Sequence, residues 1–385
     1  MYEGLKKFCD GFLEKGVPGF DLAVFKGGEC ILRYMNGFSD LENKVKINGK
    51  ERYNIYSCSK VITCTAALML WEKGMYSLED KLSDYMPEFS EMTVKTEKGI
   101  VKAQNPILIK HLFEMTAGFS YNCGSDELIK CKKETNGKCP TRETMKYLAK
   151  APLCFEPGKY WQYSLCHDVL AAFVEVVSGE KFEDFVKNNI FIPLSMDNTT
   201  FMLPDNELYT VSEQYRCDSV DGKNVIKNIG KNISWYKLGS EYASGGAGCI
   251  STTEDYIKFL EGLRTHKLLK PKTLKLMITE RLNDEQNSTY WTKGTHGYGL
   301  GVRCPKSEDA IYTDFGWGGA AGAYLAVNLE NEISLYFACH LMNSPVQGIR
   351  SMLYRIFMAE HTGDEEDMKA VKSELEKLYD YNLTY

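Results

Sequence analysis

The 385-residue sequence predicts an α/β protein of the α+β type, with one antiparallel sheet built from both chain ends, helices flanking it, and a mainly helical lobe inserted between. Three observations predict this. Strand patterns bounded by turn residues occur near the N-terminus and again near the C-terminus. The middle of the chain is dominated by helical patterns. The length suits two lobes at about 100–200 residues each. On this reading residues 1–85 and 240–362 form the sheet lobe, 86–239 the helical insertion with its long loops, and 363–385 a charged, peripheral helical tail.

In chain order, the first element is a short amphipathic start carrying Leu5, Phe8 and Phe12. Phe20 to Tyr34 then reads as two strands joined at Gly27-Gly28, because a glycine pair supplies the positive φ of a tight hairpin. Val61 to Trp71 is almost wholly apolar and is followed by Gly74, the pattern of a helix buried on all sides with a glycine past its end. A second helix is predicted from His167 to Ser178, stopping at Gly179, and a third begins at Ser251-Thr-Thr-Glu254, with Ser251 as cap and Glu254 closing a capping box. Ala323 to Leu329 and Ile333 to Cys339 flank Glu330-Asn331 as a second hairpin, and residues 345–361 read as helix. Ser120 to Thr141 and Asp205 to Tyr242 are long, polar and poorly periodic, as loops that wall an active site often are.

The composition excludes several partners. A net charge of −6 with scattered Lys and Arg leaves no basic footprint for nucleic acid. No apolar run reaches the roughly 18 residues of a membrane span, and the start does not read as a signal peptide, so a cytoplasmic protein is expected. Its oligomeric state is not written in the sequence. The 13 cysteines include no Cys-x-x-Cys pair and no zinc spacing with histidine, so they are expected to be reduced thiols. Cys123, Cys131 and Cys139 recur at eight-residue steps, a spacing that permits ligation without indicating it. Neither a metal nor an organic cofactor is expected.

Ser-x-x-Lys occurs at Ser57-Cys-Ser-Lys60, Ser178-Gly-Glu-Lys181 and Ser234-Trp-Tyr-Lys237, so context has to choose among the three. Only Ser57 opens a long buried helix. A residue three positions on shares its helical face, so Lys60 is placed to reach the Ser57 hydroxyl and activate it. The helix start adds N–H groups that favour negative charge developing on a substrate.

Tyr53-Asn-Ile-Tyr-Ser-Cys-Ser-Lys60 resembles the nucleophile motif of serine β-lactamase-like and penicillin-binding proteins, in particular class C β-lactamase-related esterases. Glu156-Pro-Gly-Lys-Tyr-Trp-Gln-Tyr-Ser-Leu165 is similar to the second motif of that family. Phe315-Gly-Trp-Gly-Gly-Ala-Ala-Gly322 resembles the third, and Ser244-Gly-Gly-Ala-Gly-Cys-Ile-Ser-Thr252 is an intervening signature; together the likeness spans roughly residues 15 to 360. It implies a β-lactamase/transpeptidase-like fold with Ser57 as nucleophile, and Lys60 and Tyr163 as proton carriers. It also implies an oxyanion hole from the N–H groups of Ser57 and Ala320, and substrate contacts at Leu165, Trp317, Gly318 and Gly319.

Two departures bear on substrate. Leu165 stands where the family usually has Asn, and Trp317 where lactamases have a lysine that receives a carboxylate. Both favour neutral acyl substrates, because an anion buried without a partner is costly. Arg216 or Arg303 could restore the charge. The resemblance therefore implies hydrolysis of a small-molecule carboxylic ester or related amide through an acyl-serine. A class C-like β-lactamase or D-amino-acid peptidase, and an idle binding protein on the same fold, stand as alternatives. His167, four residues from Tyr163, reads as structural.

Overall fold

The computed structural model describes residues 1–231, 236–306 and 313–379. Its centre is an eight-stranded antiparallel sheet ordered Gly297–Tyr298, Arg303–Cys304, Phe315–Gly318, Tyr324–Asn328, Ile333–Cys339, β1 (Gly19–Lys26), β2 (Glu29–Asp40) and β3 (Val45–Lys46). The two chain ends meet where β1 pairs with Ile333–Cys339, from Phe20 opposite Cys339 to Lys26 opposite Ile333. Both predicted hairpins are present. Gly27 and Gly28 turn the first at φ 58° and 90°, and residues 329–332 close the second.

The period of two along the strands sends side chains into two different cores. Phe20, Leu22 and Val24 pack with Leu5 and Phe12 of helix α1 (Glu3–Glu14) and with Leu353 and Phe357 of the helix Met352–Thr362. Ala23 joins the opposite core with Tyr336 and with Tyr256, Phe259 and Leu260 of the helix Thr253–Arg264. That larger core continues into the inserted helical region, where α2 (Ser59–Glu72) packs against the helix Cys166–Ser178. Every residue of α2 from Ser59 to Leu68 is buried, and left-handed glycines follow both helices, Gly74 at φ 70° and Gly179 at φ 76°.

Three expectations are corrected. The cap of Thr253–Arg264 is Thr252, whose side chain accepts from the Asp255 N–H at 3.1 Å. Ser251 instead pairs with Tyr53 in a two-stranded ladder with its hydroxyl on Thr199, and Glu254 is exposed. The stretch Ser120 to Thr141 contains a helix, Asp126–Glu134, capped by Ser125. The stretch Asp205 to Tyr242 contains a hairpin, Tyr215–Val220 with Lys223–Asn228, extended by Leu341–Met342. The tail forms a helix, Glu365–Tyr379, seated through Met368, Val371 and Leu375 on the core beside α1.

His340, 2 % exposed, links these parts to the start of α2: Nε2 accepts from the Asn54 N–H at 3.2 Å, and Nδ1 lies 3.1 Å from the Ser212 carbonyl. Burial pushes its imidazole from 6.5 down to about 4. For a base held neutral in the fold, that share of stability is complete above the unfolded value of 6.5 and is lost as pH falls toward 4. The stability gap between wild type and His340→Gln, measured by urea unfolding, should narrow by about 2 kcal/mol between about pH 7 and pH 5. A gap unchanged with pH would contradict this placement.

Candidate active site

Ser57 sits in a 3₁₀ turn, Tyr56–Cys58, that leads directly into α2. It is 9 % exposed and opens onto a cavity of about 460 Å³. Tyr163, just before the helix Cys166–Ser178, donates from its phenol to Ser57 Oγ at 2.5 Å. Lys60, one helical turn on from Ser57, is fully buried behind the cavity, with its ammonium 4.4 Å from the centre of the Tyr163 ring. Its Nζ donates to the Gly246 carbonyl at 2.7 Å and to Tyr121 Oη at 3.4 Å. Among the described residues no hydrogen bond joins Lys60 to Ser57, so the direct contact the helical spacing suggested is replaced by one through Tyr163.

The Ser244 to Thr252 signature forms the cradle of Lys60. Gly245 O accepts from Thr63 of α2 at 2.7 Å, while Gly246 O takes the lysine. A methyl at Gly246 would come 2.5 Å from Asp168 Oδ2 and 3.3 Å from Lys60 Nζ, so glycine is what allows the approach. Asp168, 1 % exposed, accepts from Ser244 Oγ at 2.6 Å and from Tyr242 Oη at 3.0 Å. Burial nevertheless pushes its carboxyl above its ordinary value, against the pull of Ser244, Lys60 and Tyr242.

Of the third motif, Trp317, Gly318, Gly319 and Ala320 all line the cavity, as do Ser57 and Tyr163. Trp317 stacks on Tyr163 with ring centres 6.0 Å apart. The Ala320 N–H makes no hydrogen bond among the described residues. Leu165 is not brought to the cavity: it is 2 % exposed and packs in the main core. His167 is fully buried against Phe113 O and Cys64, with its imidazole pushed down to about 3 by burial, and it stays behind the wall. Ser178 caps the end of its helix through the Glu180 N–H, and Ser234 lies outside the described residues.

The cations also differ from expectation. Arg216 pairs with Asp218 on the outer hairpin and does not line the cavity. Arg303 lines it but is neutralised by Asp314 and also bonds Tyr324 Oη at 2.7 Å. Arg350, not singled out from the sequence, lines it too and forms no ion pair with any described residue. The argument that Trp317 leaves the cavity without a cation is therefore corrected. Tyr121, Asp168 and Gly246 were likewise missed as individuals, although Gly246 lies inside the quoted signature and Tyr121 inside the loop expected to wall the site. The remaining wall combines the aromatic Tyr236, Tyr290, Trp291 and Tyr324 with the polar Thr292, Thr295, His296, Gln347 and Ser351.

With this geometry in place, comparison with known proteins is decisive. The family model described as Beta-lactamase matches residues 5–355. The chain belongs to the beta-lactamase family. It is 28 % identical over 283 residues to "Esterase EstB" of Burkholderia gladioli, covering 69 % of this chain and 71 % of that protein. The fold is similar to that of EstCE1, described as a hydrolase with promiscuous acyltransferase activity, at TM-score 0.73 and 23 % identity over 92 % of this chain and 97 % of that one. It is equally similar to unliganded simvastatin synthase (LovD) of Aspergillus terreus, at TM-score 0.73 and 22 % identity over 93 % and 97 % of the two chains.

No group of three or more His, Cys, Asp or Glu among the described residues is placed to hold a metal ion. Cys131 and Cys139 are buried as free thiols, and Cys123 is partly buried near Tyr121.

If Tyr163 and Lys60 carry the proton, removing either should spare binding and cost turnover. Tyr163→Phe and Lys60→Ala are each expected to lower kcat on p-nitrophenyl butyrate by about 10²- to 10⁴-fold, with far-UV circular dichroism unchanged. A folded variant retaining kcat within about threefold would contradict the assignment.

Proposed function

We propose that this chain hydrolyses neutral carboxylic esters through an acyl-Ser57 intermediate. The observation that carries the reading is the 2.5 Å hydrogen bond between Tyr163 Oη and Ser57 Oγ on the floor of an aromatic-walled cavity. For attack Tyr163 acts as its phenolate, its charge balanced by Lys60: as Ser57 Oγ adds to the ester carbonyl, the Ser57 proton passes to the phenolate oxygen, and the phenol so formed gives it to the departing alkoxide and becomes phenolate again. The Lys60 ammonium, over the face of the same ring, stabilises negative charge passing through the phenol. The N–H groups of Ser57 and Ala320 receive the oxyanion, where each donor is commonly worth about 3 kcal/mol of transition-state stabilisation. Water then repeats the sequence in reverse, Tyr163 taking its proton and returning it to Ser57 as the acid leaves. The idle-binder alternative has no use for a phenol held on a serine beside a buried lysine.

Trp291, Trp317 and the surrounding tyrosines make a wall suited to an apolar acyl or leaving group. The free thiols fit a reducing compartment, so we place the protein in the cytoplasm; no described helix is long and apolar enough to cross a membrane. One observation favours a second reading, a substrate with a carboxylate, as in a β-lactam: the charge of Arg350 has no acidic partner among the described residues.

Rates on p-nitrophenyl acetate, butyrate and hexanoate, nitrocefin and a D-Ala-D-Ala peptide, compared side by side, test the choice. Arg303 is paired with Asp314 and Arg350 is held on the Gly319 carbonyl, so a substrate carboxylate is expected to lose a charge-assisted hydrogen bond worth roughly 1.5–3 kcal/mol, and kcat/KM for an ester to exceed that for nitrocefin by about tenfold or more. Trp317→Lys should narrow that ratio. A wild-type preference for nitrocefin would overturn the neutral-ester reading in favour of the second.

A further inference from the structure

The Gly319 carbonyl and the Ala320 N–H belong to one peptide group, and a trans peptide is planar with its C=O and N–H pointing opposite ways. Whatever holds the carbonyl therefore aims the N–H. Gly319 O is held twice, by the Gly322 N–H at 3.1 Å and by Arg350 Nη1 at 2.5 Å. The Gly319 N–H is fixed on the Ala323 carbonyl at 2.7 Å. The peptide is thus tied on its carbonyl side, and its N–H side, Ala320, is left open on the cavity that Ser57 shares.

The surroundings are built to this contact. A methyl at Gly318 would come 2.4 Å from Arg350 Nη2, and one at Gly319 would come 2.4 Å from the Ile55 carbonyl, two residues before Ser57. The glycine pair lets the guanidinium lie against the strand end on one side and the nucleophile turn approach on the other. Arg350 itself follows the 3₁₀ turn Gln347–Ile349 and precedes the helix Met352–Thr362, so the end of the strand Phe315–Gly318 and that helix are joined through it. Burial pushes its guanidinium below its ordinary value, yet no described carboxylate compensates. A structural arginine would ordinarily have such a partner; this one spends its bond on a backbone carbonyl. A charged donor on C=O also draws electron density from the N–H of the same peptide, since linked hydrogen-bonding groups polarise one another.

We propose that Arg350 is a positioning residue that aims and polarises the Gly319–Ala320 peptide, so that the Ala320 N–H meets the developing oxyanion. The inference rests on the acyl-Ser57 reading with Ala320 as oxyanion donor. Arg350 then acts on every substrate, neutral or charged, and acts on the transition state rather than on binding.

The test uses Arg350→Ala, Arg350→Gln and Arg350→Lys in the full chain. Pre-steady-state release of p-nitrophenol by wild type comes first. One equivalent released in a burst, or one acyl group trapped on Ser57, establishes the underlying reading independently of Arg350; neither in wild type would remove that reading and the proposal with it. On p-nitrophenyl butyrate, Arg350→Ala should then lose about ten- to a hundredfold in kcat, less than deletion of an oxyanion donor outright, with KM within about twofold. Affinity for a neutral aryl boronic acid, which becomes a tetrahedral anion on Ser57, should fall by the same factor as kcat. Arg350→Lys, which can still donate to Gly319 O, should recover part of the rate, Arg350→Gln less, and guanidinium ion added to Arg350→Ala should recover part as well. If the neutral ester keeps its wild-type kcat in all three variants while KM for nitrocefin alone rises, Arg350 receives a substrate carboxylate and the proposal is wrong.

Discussion

The rest of the site depends on keeping Lys60 fully buried. A buried ammonium is costly unless its charge is met and its N–H groups are satisfied. Here the Gly246 carbonyl, the Tyr121 oxygen, the face of the Tyr163 ring and, further off, the Asp168 carboxyl together do this. They come from three segments, with Tyr163 and Asp168 sharing the start of one helix. Holding Lys60 therefore fixes the Ser244 to Thr252 turn against α2, fixes Tyr163 over the lysine, and through Tyr163 fixes the hydroxyl of Ser57. Gly245 and Gly246 show how tight this is: a methyl on either would meet the His167 carbonyl at 2.4 Å or the Asp168 carboxyl at 2.5 Å.

The sheet supplies the opposite half. Its central strands are buried on both faces, so the strand Phe315–Gly318 is held rigidly between Arg303–Cys304 and Tyr324–Asn328, and its end delivers Trp317 to Ala320 to the cavity. The nucleophile comes from the start of a helix whose buried face allows no sliding. Two rigid pieces thus meet with the cavity between them, and pre-organisation of this kind is where electrostatic catalysis draws its advantage.

Much of this was legible in the sequence, for local reasons. The Gly27-Gly28 turn, the apolar run of α2 and the stop at Gly179 are each written within a few residues, and the family motifs fall on Ser57, Lys60, Tyr163 and the Trp317 to Ala320 strand end. What failed was non-local or a matter of one residue. Ser251 and Thr252 are both competent caps; pairing with Tyr53 across some 200 positions decides between them by drawing Ser251 into a ladder. The hairpin Tyr215–Val220 with Lys223–Asn228 was hidden because it buries only Tyr215 and Cys217 and is otherwise largely exposed on both faces, so the alternation that marks a half-buried strand hardly appears. Leu165 was assigned to the substrate by its place in a motif, but with no amide to satisfy it turns into the core. Arg350 belongs to no motif and reaches the site only because the turn before the helix Met352–Thr362 sets its guanidinium on the Gly319 carbonyl, just past the strand Phe315–Gly318.

The central claim, that the Ser57 hydroxyl is the one activated nucleophile of this chain, is tested most directly by a fluorophosphonate probe followed by peptide mapping. One equivalent of label per chain on the peptide containing Ser57, abolished by Ser57→Ala and strongly slowed by Tyr163→Phe, is the result predicted. Label on a peptide containing Ser178 or Ser234, or labelling that survives Ser57→Ala, would contradict it.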